Sequence, residues 1–349
     1  SFEIQITVGD KFYAYGFSAV LSRRKVTGEW LYELYQNGSA KCLFEREGSK
    51  RPVLNDGITL INTEKNKFET YADDFEGNET SLFLTEMNRG KKYSTRSKLL
   101  FFRDVYDWIQ NHISIITPDT PLIDLEYYYD DNSLKLINKL IKTFDTGISQ
   151  VKIEEITLDE LSNALPKSVF DKMMQHVKNR MEEQEEPSFR MTMRSKETFF
   201  NIEVEGHSEP KVTTIRLHHN KSFYEFGFDE ESDGTRRLFD LMDMLLNKRE
   251  DVLYVVDELE RSLHPKLTER FLQLFMQLHD EQRMQLLFTT HESSIMDQAI
   301  FRRDEIWFVE KDKKGESHLS SLCEYKPREN VQKGYLNGRY GAIPFFGEL

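Results

Sequence analysis

Cysteine is nearly absent. Cys42 and Cys323 are the only two in 349 residues and lie far apart in the chain, so neither a disulfide framework nor a zinc site built on paired cysteines has its ligands. That scarcity suits a reducing compartment, and a cytoplasmic location is the expectation. No apolar run approaches the roughly 18 residues that a membrane span requires, and a membrane partner is not expected. Basic residues are outnumbered: 47 Lys and Arg against 60 Asp and Glu leave a net charge of −13, which argues against a protein coated in nucleic acid. The sum hides one basic patch, Arg89-Gly90-Lys91-Lys92 with Arg96 and Lys98, for which a solvated loop is the ordinary reading. A sustained heptad is missing as well, which excludes a long coiled-coil arm.

What the chain does contain is organised around Leu253–Pro265, read as Leu-Tyr-Val-Val-Asp-Glu-Leu-Glu-Arg-Ser-Leu-His-Pro. Leu253 to Val256 form a short apolar run of the kind that fits a strand buried on both faces of a mostly parallel sheet. Asp257 and Glu258 then emerge at its carboxyl end, where open α/β sheets place their ligands. This is the form of a Walker B motif: the first carboxylate holds Mg²⁺ through water, because Mg²⁺ dehydrates reluctantly. The second orients the attacking water, since phosphoryl transfer asks a protein mainly for placement and charge stabilisation. A buried strand ending in a solvated acidic turn is the plainer alternative. Pro265 suits a first helical position, and Leu267, Phe271, Leu274, Phe275 and Leu278 recur at helical spacing. A second apolar strand, Gln285-Leu-Leu-Phe-Thr-Thr-His291, completes a βαβ pattern that puts His291 on the same sheet edge as the acid pair.

The run Asp257–Pro265, the run Thr289-Thr-His-Glu292 and the closing Gly334-Tyr-Leu-Asn-Gly-Arg-Tyr-Gly-Ala-Ile-Pro344 together resemble the bacterial AAA-type ATPases with ABC-ATPase heads, relatives of RecF, the SMC proteins and the ATPase half of the OLD nucleases. The resemblance spans nearly the whole chain. It implies an α/β fold of P-loop type with an antiparallel β lobe over residues 1–95, a helical insertion and connecting hairpin over 96–211, and an ATPase lobe over 212–349. It implies ATP and Mg²⁺ as cofactors, Asp257 as the metal contact, Glu258 as the catalytic base or water-positioner, and His291 as sensor of the terminal phosphate. Ser232 and Gly234, just ahead of a helix, match the Ser-x-Gly core of an ABC signature that reaches the nucleotide of a second subunit. Ser-Asp-Gly before a helix is also a capping turn, and Arg236 and Arg237 behind it face either phosphate or solvent. Ser262 and His264 fall in the D-loop, which crosses the dimer interface.

One element that this activity requires is missing from the sequence. No Gly-x-x-x-x-Gly-Lys-Ser/Thr phosphate loop occurs, and Ser1-Phe2-Glu3 opens inside an apparent strand. The expectation is either a Walker A segment upstream of Phe2–Val8 or a head that cannot bind nucleotide alone.

Elsewhere, residues 2–46 read as an antiparallel meander with an Asn37-Gly38 hairpin turn. Residues 47–80 are polar, 98–116 and 133–144 read as helices, and 156–185 as a helical stretch broken at Pro166. Residues 190–204, 212–218 and 223–228 alternate as strands do. The partners that the resemblance implies are a second copy of the chain and an effector protein, nuclease or toxin, of an anti-phage system, with DNA possible. An ATPase-like scaffold that sequesters an effector and a RecF-like repair ATPase are the alternatives.

Overall fold

The computed structural model describes residues 1–118, 131–183, 188–194, 199–220, 222–246, 249–279, 283–326 and 330–343. It divides into two compact units, Ser1–Ser114 and Ile115–Leu349. In the first, strands β1 (Phe2–Val8), β2 (Lys11–Val20), β3 (Lys25–Leu34), β4 (Ala40–Glu47) and β5 (Val53–Leu54) form one antiparallel sheet in chain order. Period-two patterning puts Tyr13, Tyr15, Leu31 and Phe44 on the buried face. Helices α1 (Asn62–Phe75), α2 (Phe83–Asn88) and α3 (Leu100–His112) supply Phe68, Phe83 and Phe102 to the same core. The ring centroids of Phe44, Phe68, Phe83 and Phe102 sit between 5.0 and 6.4 Å apart in the contacts they make, within the range where tilted and edge-on aromatic pairs attract. The polar stretch 47–80 thus contains a helix, α1, whose buried face is only Phe68, Ala72 and Phe75.

A buried acid fixes the start of α2. No side chain at Leu82 caps this helix. Instead the carboxylate of Glu29, on β3, accepts the backbone N–H groups of Phe83 at 2.6 Å and Leu84 at 2.9 Å and the Tyr15 hydroxyl at 3.0 Å. A helix amino terminus favours negative charge, so a strand residue does here what a local cap does elsewhere. Burial pushes the Glu29 carboxyl above the usual range, while the two N–H donors and the Arg46 guanidinium 3.9 Å away oppose that shift. Removing the carboxylate strands two buried N–H groups, a hydroxyl and a buried cation. Glu29→Ala is therefore expected to cost about 3–5 kcal/mol, the usual penalty for breaking a buried charged network from one side. The urea midpoint of the purified protein checks this, and a loss below about 1 kcal/mol would place Glu29 outside the stabilising network.

Strand β6 (Ile113–Ile116) runs across the boundary in sequence, and the second unit continues with α4 (Asp131–Ile141) and β7 (Ile148–Ile156). Helices α5 (Leu158–Ala164) and α6 (Lys167–Glu182) flank Pro166, and strands β8 (Ser188–Arg194), β9 (Phe199–Glu205), β10 (Lys211–His219) and β11 (Glu225–Gly227) follow. These strands run β11-β10-β9-β8, with β7 along the other side of β10. Leu161, Met173 and Val177 of the helical pair pack on Phe200, Ile202, Val204 and Val212. Helix α7 (Asp233–Leu246), strand β12 (Leu253–Val256), helix α8 (Pro265–Leu278) and strand β13 (Gln285–Phe288) follow. The chain continues through the hairpin β14 (Trp307–Lys311) and β15 (Ser317–Ser321) to α9 (Val331–Leu336).

Strands β12 and β13 pair in parallel from Leu253↔Gln285 to Val256↔Phe288, in a sheet ordered β13-β12-β6. The βαβ reading of this region holds. The helix expected over 98–116 ends at His112. The β-branched Ile113-Ser-Ile-Ile116 that follows is a strand instead, its stiff side chains suiting a pleated surface. The expected strand over 223–228 shrinks to Glu225–Gly227.

The closing Gly334–Ile343 segment packs as an aromatic layer on β14. Phe308 stacks on Tyr335 and Tyr340, with ring centroids 5.8 and 5.1 Å away. A Cβ at Gly334 would meet the Tyr340 hydroxyl at 2.6 Å, so glycine lets the ring lie there. Pro344, the last residue of that motif, lies outside the described residues.

Candidate functional site

The acid pair sits at the carboxyl end of β12, as the sequence led one to expect. The Asp257 N–H continues the ladder, donating to the Ile116 carbonyl at 2.9 Å, and the Thr289 N–H donates to the Val256 carbonyl at 3.0 Å. Beyond that point β12 turns. Glu258 adopts φ +49° and Ser262 φ +62°, both in the left-handed region that costs an ordinary residue roughly 1–2 kcal/mol. The turn is closed by Arg261 N–H to Glu258 O at 3.1 Å and Leu263 N–H to Glu260 O at 2.7 Å.

Three side chains stitch this turn to its surroundings. The Thr289 hydroxyl, at the end of β13, donates to Asp257 Oδ1 at 2.5 Å and accepts the Glu258 N–H at 2.9 Å. Glu260 accepts the His291 N–H at 2.8 Å, which ties the histidine loop to the acid loop. Arg237, on α7, is only 6% exposed and donates to the Glu258 carbonyl at 3.3 Å, while its Nε has no hydrogen-bond partner. Burial depresses its basicity, and the nearby Asp240 carboxylate opposes that. Of the arginine pair on this helix, Arg237 is thus interior, whereas Arg236 reaches Asp233 at 2.9 Å and the Asp229 carbonyl at 3.2 Å. The side chains of Asp257, Glu258 and His291 are in no ion pair among the described residues. The Asp257 carboxylate with the Thr289 hydroxyl against it offers oxygen donors of the hard type that Mg²⁺ takes, so these residues fit that ion.

The Ser232–Gly234 turn packs against the acid turn of the same chain. Ser232 Oγ accepts the Thr235 N–H at 3.1 Å, so it caps α7. Glu231, just before it, pairs with His219 Nε2 at 2.6 Å, and the imidazole lies edge-on to Phe226. His264 likewise caps α8, its Nδ1 accepting the Lys266 N–H at 3.2 Å. Ser262 and His264 are both exposed. Sequence reasoning took Thr289 and Glu260 only as parts of the motif runs, and left Arg237 facing either phosphate or solvent. For Thr289 the signal was present, since a residue just past an apolar strand shares the edge with the acid pair; nothing in the sequence marked Arg237 as buried.

The acid pair and the Thr-x-His loop, on one edge of parallel strands, suit a domain of AAA type. The chain belongs to the family described as "AAA domain, putative AbiEii toxin, Type IV TA system", whose model matches residues 1–297. That bears out the resemblance drawn from the motifs. Among solved structures, one described as "Crystal structure of the SmcHead bound to the C-winged helix domain of ScpA" is 11% identical, covering 93% of this chain and 76% of that chain with a TM-score of 0.31. No curated protein matches the chain.

Gly234 is where the two turns touch: a Cβ there would meet the Ser262 carbonyl oxygen at 2.6 Å. That oxygen is backbone, in a turn already at positive φ, and has little freedom to retreat. Gly234→Ala is expected to destabilise the protein by about 1–3 kcal/mol, the usual cost of forcing atoms into a packed site. A thermal unfolding midpoint equal to that of the unaltered protein would contradict the close approach.

Proposed function

We propose that this chain is an ABC-type ATPase head that binds and hydrolyses ATP with Mg²⁺, pairs with a second copy across the nucleotide, and serves as sensor or motor in a bacterial anti-phage complex. The observation that carries the reading is the strand-end acid loop: Asp257 and Glu258 side by side, held by the Thr289 hydroxyl. Family membership supports the ATPase class, and the family description, which names a putative toxin of a type IV toxin–antitoxin system, supports a defence setting with an effector partner. Among the described residues no helix is long and apolar enough to cross a membrane.

In this reading Asp257 and Thr289 would hold Mg²⁺ through its water shell. The ion, when bound, neutralises charge on the phosphates. Glu258 accepts a proton from, or aligns, the attacking water. His291 contacts the terminal phosphate, its loop held by Glu260. The amino terminus of α7 at Ser232–Gly234 offers a positive dipole end to the phosphate bound by the partner, with Ser262 and His264 beside it at the interface. The reading requires a phosphate-cradling glycine loop in the intact protein, because these 349 residues contain none.

Glu258→Gln keeps the size of the side chain and removes its basicity. In the intact protein it is expected to bind ATP while hydrolysis falls about 100-fold or more, the usual contribution of a positioned base, and the ATP-bound dimer should accumulate in light scattering. Hydrolysis at the unaltered rate removes the assignment.

A further inference from the structure

Residues 88–103 carry six cations, Arg89, Lys91, Lys92, Arg96, Lys98 and Arg103, and no carboxylate, in a chain whose net charge is −13. The structure separates them into two groups. Lys91 and Arg103 are turned inward. Lys91 pairs with Glu86 at 2.7 Å and lies over the Tyr71 ring, and Arg103 bonds the Asn88 and Lys91 carbonyls. With Lys67, which donates to the Lys92 carbonyl at 3.0 Å, and Tyr93, whose hydroxyl donates to the Met87 carbonyl at 2.6 Å, they anchor the loop between α2 and α3. Burial, and then the neighbouring Lys91 and Arg103 cations, holds the Lys67 ammonium below the usual lysine range, a sign of positive charge crowded under the loop.

Arg89, Lys92, Arg96 and Lys98 are exposed, and among the described residues none of them is in an ion pair. Elsewhere the surplus of acids is used: Arg51 bridges Glu69 and Asp73, Arg190 meets Glu203 at 2.5 Å, and Arg216 meets Glu154 at 2.5 Å. Even Glu64, which reaches this loop, spends its carboxylate on the Lys98 backbone N–H at 3.1 Å. Four unmatched cations on one anchored loop, with so many carboxylates available, call for an anion from outside. The residues between them are Gly90, Ser94, Thr95 and Ser97, with Tyr93 half-buried beneath. No exposed apolar side chain lies among the four to anchor a lipid surface or to form the desolvated centre of a protein interface. Cations interleaved with hydroxyls are instead what contacts a phosphate backbone.

We infer that the Arg89–Lys98 loop is a nucleic-acid backbone contact surface that reads charge rather than sequence. It lies in Ser1–Ser114, whereas the acid loop lies in Ile115–Leu349, so either assignment can fail without the other.

The test is fluorescence anisotropy of the intact protein on a short mixed-sequence DNA duplex across a salt series. Each phosphate contact contributes about 0.9 to the slope of log affinity against log salt, so four contacts predict about a 100-fold loss between roughly 50 and 200 mM salt. Alanine at any one of Arg89, Lys92, Arg96 or Lys98 should reduce the slope by about 1, equally for unrelated sequences. The fourfold alanine variant should lose the binding, while Lys92→Arg with Lys98→Arg keeps it. Because the four side chains are exposed, unfolding midpoints should not move. No binding at about 50 mM salt, or a slope unchanged in the fourfold variant, overturns the assignment. So does loss in that variant of binding to phosphatidylserine vesicles or to a polyglutamate peptide with DNA binding intact.

Discussion

The Thr289 hydroxyl is the contact on which the candidate site depends. It donates a hydrogen bond to Asp257 and accepts one from the Glu258 N–H, joining the ends of two parallel strands. Its geometry also answers an energetic problem. Glu258 sits in a backbone region that costs about 1–2 kcal/mol, and the bond from its N–H to the hydroxyl, made between neutral groups, returns about 0.5–1.5 kcal/mol. The hydroxyl therefore offsets much of that strain.

Around this contact the unit is arranged as supports for a short turn. Glu260 secures the histidine loop, Arg237 reaches the Glu258 carbonyl from α7, and Gly234 allows that helix to start against the Ser262 carbonyl. A shift at the start of α7 is thus mechanically connected to the acid loop through backbone atoms, without an intervening flexible side chain. In the first unit Glu29 plays a comparable part, since one buried carboxylate organises the start of a helix that has no cap of its own. In both units the fold is fixed by a polar group contributed from a distant element.

Much of this was legible in the residues. The apolar tetrad before Asp257, the helical spacing behind Pro265, the second apolar strand and the Asn37-Gly38 turn each carry a local signal, and each formed what that signal implies. What was not legible depends on tertiary partners. Ile113–Ile116 reads as the tail of a helix until a neighbouring strand is there to pair with it. Arg237 reads as a surface cation until α7 is placed, and Glu29 reads as an ordinary strand acid until α2 comes to rest on it. The closing Gly334–Ile343 segment was recognisable as a motif without a reason; the stack of Phe308, Tyr335 and Tyr340 supplies one in packing.

The most direct test replaces the linking hydroxyl alone. Thr289→Val keeps the shape of the side chain and removes both hydrogen bonds, and Thr289→Ser restores the hydroxyl. Measured as Mg²⁺-dependent ATP hydrolysis by the intact protein, the valine variant should fall at least about tenfold, the effect of roughly 1.4 kcal/mol, with the serine variant near the original rate. Equal rates in all three proteins would contradict the claim that this hydroxyl holds the acid pair in its working geometry.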